Sequence, residues 1–435
     1  MPSSLLFVNK LISKYFGPDL LKKVIDYVKE KVSKEKRYEN ARSKYNSTIS
    51  SLEYVRWQSK ILTKIYGDQP IVHLFGRNHM VVAHPSDGNI EYPFVKDDLH
   101  HFSMLKSVEI PEYRPDKTQM KYYNIMSSKI KKPNLIGFEL DEYEVNHEGQ
   151  ISSFTANICQ YRHTVITSHI LEYEMYQLYK ENRSIADASV EEILNNLPYR
   201  NKIHIGQSVQ DVIIKGKNRH ALMSVQMMII YWDERSQCYK VPIIKRSEEV
   251  ALKPNYWHII PAGGFEIFEK EDMHNEHVIE ENFDIQLALF RELLEELYNG
   301  RDFEDNEMGH DGNEIIYRNP VIEQLEKLLA DKKAKIEFLG NTTDLTTLRP
   351  ELSFLLVVDD QDFSKNTFEK NFEGAVIKSV KLDKLESMFK NDLLYPSSAG
   401  LLQLAIASSI FKEKGWDLGS VATSDQSLSK ERITI

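Results

Sequence analysis

The run Arg291-Glu292-Leu293-Leu294-Glu295-Glu296-Leu297 carries three carboxylates at spacings of three and four residues. On an α-helix those spacings stack side chains on one face. Three like charges on one face repel each other unless a cation sits among them, and an oxygen-only donor set of this kind suits Mg2+ or Mn2+. Leu287, Phe290, Leu293, Leu294 and Leu297 supply the buried side of the same helix, and Arg291 is placed to grip a carboxylate by a two-pronged hydrogen bond. Upstream lies Ile260-Pro261-Ala262-Gly263-Gly264-Phe265-Glu266-Ile267-Phe268-Glu269, in which Gly263 and Gly264 permit a tight turn and a close backbone approach. The plain alternative for an acidic helical triplet is a solvated surface face, and the glycine turn ahead of it weighs against that reading.

Together these residues resemble the Nudix box: Gly, five residues, Glu, seven residues, then Arg-Glu-apolar-any-Glu-Glu-any-Gly-apolar. Gly263 and Glu269 fit the first spacing, and Arg291, Glu292, Leu293, Glu295 and Glu296 fit the second element. The resemblance implies a C-terminal αβα sandwich and cleavage of a nucleoside diphosphate linked to another moiety. It further implies that Glu292, Glu295 and Glu296 bind the metals, supported by Arg291 and Glu269. Two departures stand out. The stretch 270–290 is longer than the seven residues of the pattern, and Tyr298 and Asn299 replace the closing Gly-apolar pair, with Gly300 just beyond. The stretch through Leu339-Gly340, Thr343–Leu348, Pro350–Ser353 and Phe372–Gly374 also resembles long bacterial Nudix-like proteins with N-terminal extensions.

Glu337, Glu351 and Glu373 follow the box, where a further ligand or a general base is expected. Glu351 and Glu373, at strand and loop edges, are the favoured pair. Tyr256 and Trp257 could stack on a base, which makes Trp257 a substrate-binding candidate beside Gly263 and Gly264. His100-His101 lacks a third ligand at a convincing spacing, and Gly216-Lys217 lacks the rest of a phosphate loop.

The elements that must position these residues follow from periodicity. Gly17-Pro18-Asp19 starts a helical region reaching Tyr66, with Leu20, Leu21, Val24, Ile25 and Val28 at helical spacing. Strands are expected at 71–75, 80–83 and 135–140, and helices at 163–179 and 188–196. From Ser224 the grammar changes. Buried strands are expected at 225–232 and 239–244, then the glycine turn, an exposed acidic insert over 270–283 and the acidic helix. Helix 321–331, strands 335–339, 352–358 and 375–382, and helices 383–390 and 399–413 complete the pattern. Residues 85–133 resist assignment. The polar run Lys217-Asn218-Arg219-His220 reads as a boundary rather than core. The expected division is a basic helical segment 1–66, a mixed α/β domain 67–217, a Nudix-type domain 218–416 and a loose tail 417–435.

The 435 residues carry a net charge of −10, which argues against nucleic acid as a general partner. The charge is uneven: residues 1–66 hold 14 Lys or Arg against 6 Asp or Glu, about +8, and the remainder is correspondingly acidic. The basic arm and its apolar stripe suggest docking on a second copy of the chain. Cys159 and Cys238 form neither a metal spacing nor a disulfide framework. No stretch approaches the roughly 20 apolar residues that span a bilayer, so a cytoplasmic protein is expected. The expected function is a metal-dependent hydrolase acting on a nucleotide-derived small molecule. The rival is a sensor that binds a nucleotide without turnover, but a sensor has no need of three clustered carboxylates.

Overall fold

A computed structural model describes residues 18–418, apart from 89, 91, 93, 95–101, 131, 248–249, 251–252, 268–274, 299–311, 366–367, 369–373 and 391. Two helices lead the chain, α1 (Pro18–Ile49) and α2 (Leu52–Tyr66). Ser51 separates them by accepting the Tyr54 N–H, which occupies one of the amides that a helix start leaves open. The hairpin of β1 (Ile71–Leu74) and β2 (Arg77–Pro85) follows, its turn made by Phe75 and Gly76, both at positive φ. Next come β3 (Ser103–Ser107), α3 (Lys117–Met126), β4 (Ile136–Val145) and β5 (Ile151–Gln160). After a wide π-helical turn at Val165–His169, the chain runs into α4 (Ile170–Glu181) and later α5 (Pro198–His204).

The C-terminal half supplies β6 (Ser224–Asp233), β7 (Cys238–Arg246), β8 (Trp257–Ile259), β9 (Ala262–Gly264), α6 (Glu276–Asn282), α7 (Ile285–Leu297) and α8 (Pro320–Ala330). It continues through β10 (Ala334–Asp344), β11 (Arg349–Val358), β12 (Gly374–Lys381) and α9 (Pro396–Ala407). Nine strands form one sheet in the order β1-β2-β10-β11-β6-β7-β12, with β8 on β7 and β9 on β6. The β11–β6 pair is parallel and aligns Glu351 with Ser224. A smaller sheet runs β3-β5-β4.

Side-chain alternation assigns the two faces of the large sheet. Val225, Met227, Ile229, Leu352 and Phe354 pack on Leu289, Phe290 and Leu293 of α7 and on Phe138 and Phe154 of the small sheet. Met228, Ile230, Leu355 and Val357 pack on Leu401, Leu402 and Ala405 of α9. A third core, rich in tyrosine, joins α1 and α2 to α3 and α4 through Tyr45, Tyr54, Tyr122 and Tyr176.

This architecture is mixed α/β and revises several expectations. The division at 217/218 separates no cores, because β2 pairs with β10 and β4–β5 pack in the same core as α7. Periodicity finds strands but not their partners, so this sharing was invisible in the sequence. The basic arm docks on its own chain from Tyr45 onward, burying Tyr45, Ile49, Tyr54, Ile61 and Leu62; the side chains of Leu20, Leu21, Val24, Ile25 and Val28 lie outside the described residues. The acidic insert is not wholly peripheral. Residues 268–274 are outside the description, but α6 places Ile279 in the core, and Phe283 stacks on Phe265 with ring centroids 5.4 Å apart. Arg219, in the run read as a boundary, is only 5% exposed. No helix of the described residues is long and apolar enough to cross a membrane.

Candidate active site

Asp284 starts α7 by accepting the Leu287 N–H. The helix is buried nearly all round: Glu292 is 7% and Glu296 6% exposed, with Glu295 half-buried between them. That excludes a solvated acidic face. β9 lies against the same helix turn. A Cβ on Gly263 would overlap the Glu292 carboxylate, and one on Gly264 the Glu266 carboxylate, so any larger residue here would have to displace those carboxylates.

Arg291 organises the cluster through two backbone carbonyls and the carboxylates beside it. Its NH1 donates to the Glu266 carbonyl at 2.7 Å and its NH2 to the Gly264 carbonyl at 2.7 Å. Glu292 Oε1 stands 3.4 Å from NH2 and Glu295 Oε1 3.8 Å from Nε. The guanidinium thus ties the glycine strand to α7 and spends its remaining charge on two carboxylates. Burial, together with repulsion from Glu295, pushes the Glu292 carboxyl well above the usual carboxylate range; Arg291 opposes this, and Glu296 and Glu266 add to it. Among the described residues no group of three or more His, Cys, Asp or Glu side chains stands in ready ligating geometry. The donor set nevertheless fits a hard divalent cation: Glu292, Glu295 and Glu266 share the Arg291 guanidinium, Glu296 stands on the same helix, and every donor is oxygen.

Glu266 is a site residue that the sequence reading quoted without assigning. It is the carboxylate outside α7 that Glu292 feels, and it also acts on Arg349. Arg349 belongs to a second, cationic group. Its Nε donates to the Leu222 carbonyl at 3.2 Å. Burial works against its charge, but Glu351, Tyr395, Tyr161 and Glu266 outweigh that. Beside it, Arg246 NH1 lies 3.3 Å from His258 Nδ1, and the His258 and Tyr395 rings are 4.6 Å apart. Burial and then Arg246 and Arg349 hold His258 well below the usual histidine range, so its imidazole is neutral. Tyr161 and His169, 5.9 Å apart in an edge-on pair, bring the N-terminal half to Arg349. Arginines at strand ends are the one sequence signal that could have pointed here.

Glu351 does not lie at an edge. It is 4% exposed on an interior strand, flanked by Thr342 and Ser224, and its charged neighbours are Arg349, Asp344 and Arg246. Burial raises its carboxyl above the ordinary value. Trp257 packs in the apolar layer under α9, with Lys378 Nζ 5.0 Å and Lys245 Nζ 5.8 Å from its ring centroid, away from the α7 face. Glu269, Glu373, Asn299, Gly300 and the pair His100-His101 lie outside the described residues.

The N-terminal half also holds the loop from which Arg349 and Glu351 emerge. Four consecutive carbonyls of that loop are taken by its side chains. Arg200 donates to Leu345 at 2.9 Å and to Thr346 at 2.6 Å, Ser168 to Thr347 at 2.6 Å, and Arg219 to Leu348 at 3.3 Å.

No protein-family profile matches the chain, and no curated protein sequence matches it. Partial structural likenesses include the NUDIX domain of Shewanella oneidensis NrtR complexed with ADP ribose, at 12% identity and a TM-score of 0.26, covering 43% of this chain and 88% of that one. A MutT/nudix family protein from Enterococcus faecalis is 13% identical with a TM-score of 0.25, covering 53% of this chain and 72% of that one. A C. elegans Ap4A hydrolase is 12% identical with a TM-score of 0.23, covering 45% and 99%.

Proposed function

We propose that the protein is a metal-dependent hydrolase that cleaves a phosphoanhydride bond in a nucleoside diphosphate derivative. The observation that carries this reading is the carboxylate cluster itself: Glu292 is buried against Gly263, with Glu295 and Glu296 on the same helix and Arg291 locking that helix to the glycine strand. A scaffold that holds like charges together out of water pays for it in stability, and a cation-dependent reaction is the return. Mg2+ or Mn2+ held by Glu292, Glu295 and Glu296 would supply Lewis-acid neutralisation of the diphosphate.

The chain's own groups do the rest. Gly263 and Gly264, at the edge of the substrate site, give the Glu292 and Glu266 carboxylates room against the strand. Arg349 and Arg246 receive negative charge at the far end of the substrate, where guanidinium forks match phosphate oxygens. The neutral imidazoles of His258 and His169 add hydrogen bonds there without adding charge. A carboxylate accepts the attacking water's proton; Glu266 stands at the cluster, and Glu351 at the arginines, so the two ends of the site each hold one candidate base. Tyr161 and His169 close the cationic end from the N-terminal half. Most of the rate advantage would then come from positioning and from charge placed in advance.

The test is incubation of the full chain with Mg2+ and a panel of nucleoside diphosphate derivatives, following release of phosphomonoester products. Turnover that requires the metal and is lost in E296Q supports the reading. A protein that binds members of the panel but turns over none of them is the nucleotide sensor instead.

A further inference from the structure

The turn at 216–219 carries a guanidinium into the interior and leaves most of it unsatisfied. Arg219 donates through Nε to the Leu348 carbonyl at 3.3 Å, while both of its terminal nitrogens are buried without an acceptor among the described residues. Arg200, fully buried on α5, is in a related position. Its terminal nitrogens reach Tyr66 Oη at 2.8 Å and the carbonyls of Leu345 and Thr346, but its Nε has no acceptor among the described residues. The two guanidiniums share Tyr66 and His204 as neighbours, and each acts electrostatically on His204.

Two nearby carboxylates lend opposite charge, Glu174 to Arg200 and Glu139 to Arg219, but their hydrogen bonds go to other groups. Glu174 accepts the backbone N–H groups of Tyr199 and Arg200, both at 2.9 Å. Glu139 lies 2.9 Å from His220 Nδ1. His204 adds no negative charge; burial, followed by the two arginines, pushes it down to about 4, so its imidazole is neutral and sits 3.0 Å from Tyr66 Oη. Two guanidiniums are therefore buried with three nitrogens that have no acceptor among the described residues. A buried charged donor left without a partner is destabilising, and native interiors resolve such sites with an ion or with ordered water.

We propose that Arg200 and Arg219 hold a small oxyanion of the orthophosphate type, enclosed where α5, the 216–219 turn and the β10–β11 loop meet. A tetrahedral oxyanion offers acceptors to the Arg219 fork and to Arg200 Nε at once, which a lone carbonyl does not. The enclosure of both arginines restricts the ligand to a small anion. The bound anion would satisfy these donors and lock the 345–348 segment that leads into Arg349 and Glu351. The site is separate from the carboxylate cluster and does not depend on the hydrolase reading.

The experiment uses the full chain in EDTA. Phosphate released on denaturing exhaustively dialysed protein is assayed first, and uptake of radiolabelled orthophosphate by equilibrium dialysis second. Retained and acquired phosphate together should come to about one per chain. Loss of these charge-assisted hydrogen bonds in R219M should weaken binding about tenfold or more, with R219K falling between, and orthophosphate should raise the wild-type melting temperature. E296Q and R349M should bind orthophosphate as the wild type does. If the wild-type chain neither releases nor takes up phosphate, water serves these donors and the proposal fails, whatever the variants do. Uptake lost in R349M but intact in R219M would move the anion to the candidate active site and also overturn it.

Discussion

Two sets of buried charge in this protein obey opposite rules. Around Lys253 the charges are paired. Its ammonium, 3% exposed, lies 2.7 Å from Glu172 Oε1, while Asp344 accepts the Thr346 N–H at 2.8 Å. Tyr45 and Gln58 reach the Glu172 carboxylate at 3.5 Å. Burial opposes the Lys253 charge, but Glu172 and Asp344 more than restore it. Around α7 the charges are alike: Glu292, Glu295 and Glu266 gather on one guanidinium, and Glu296 adds its repulsion to Glu292. The first set joins the N-terminal helices to the β10–β11 loop and is nearly self-sufficient. The second is held together against its own repulsion by Arg291 and the glycine strand. A paired network is explained by structure alone; a like-charged cluster kept out of water needs a ligand or a reaction to explain it.

The sharpest way to break this contrast is to remove one member of each set. K253M leaves Glu172 and Asp344 buried without their cation and is expected to cost roughly 3–5 kcal/mol of stability, measured by urea unfolding. A loss below about 1 kcal/mol, the range of an exposed ion pair, would mean the network is not the joint described here. E295Q and E296Q should do the reverse. Each relieves repulsion, so the unfolding midpoint should hold or rise, while metal-dependent hydrolysis should fall about 100-fold or more. Full activity in both variants would remove α7 from the proposed chemistry.

Acid sharpens the comparison from another side. Burial, followed by the charge of Arg349, pushes His169 down to about 3, well under its unfolded value near 6.5. The unfolded chain therefore takes up a proton that the native fold refuses. Stability is lost as the pH falls from about 6.5 towards 3, by about 1.4 kcal/mol per pH unit for this one group. H169Q should remove that contribution, so that wild type minus variant stability is lower at pH 5 than at pH 7 by about 2 kcal/mol. Equal differences at the two pH values would show that His169 is accessible to protons in the native state.

The smallest expected effect tests the loop clamp. S168A deletes the hydrogen bond to the Thr347 carbonyl and should cost about 1 kcal/mol. If the clamp positions Arg349 and Glu351, kcat/KM should fall by more than this stability loss explains in a sample that is still fully folded. Unchanged kinetics would confine Ser168 to a structural role.

The local grammar of α7 was legible because its period, apolar side and carboxylate spacing all lie within the eleven residues 287–297. The continuous apolar run at 225–232 likewise marks a buried interior strand, and β6 is one. The residues 85–133 were not legible, and they contain β3 and α3, whose partners are far away in the chain. Glu351 shows the limit most clearly. Its strand was expected, but a strand's period says which side chains alternate and nothing about whether both of its edges are covered. Here β10 and β6 cover them, so a carboxylate expected at an edge is interior and among arginines.

By itself, then, the sequence determined the carboxylates, the helix that stacks them and the glycines that give that helix room. These depend on short-range geometry, and every chain with this run would meet the same constraints. Tertiary structure decided what surrounds them: that β1 and β2 join the C-terminal sheet, that Arg219 goes inward, that Trp257 lies on the other face, and that Tyr161 and His169 reach Arg349. Those outcomes depend on strand pairing and burial between residues far apart in the chain. A polar turn such as Lys217-Asn218-Arg219-His220 carries no local mark of the interior; Arg219 is enclosed by groups far away in the chain, among them Leu348, whose carbonyl accepts from its Nε.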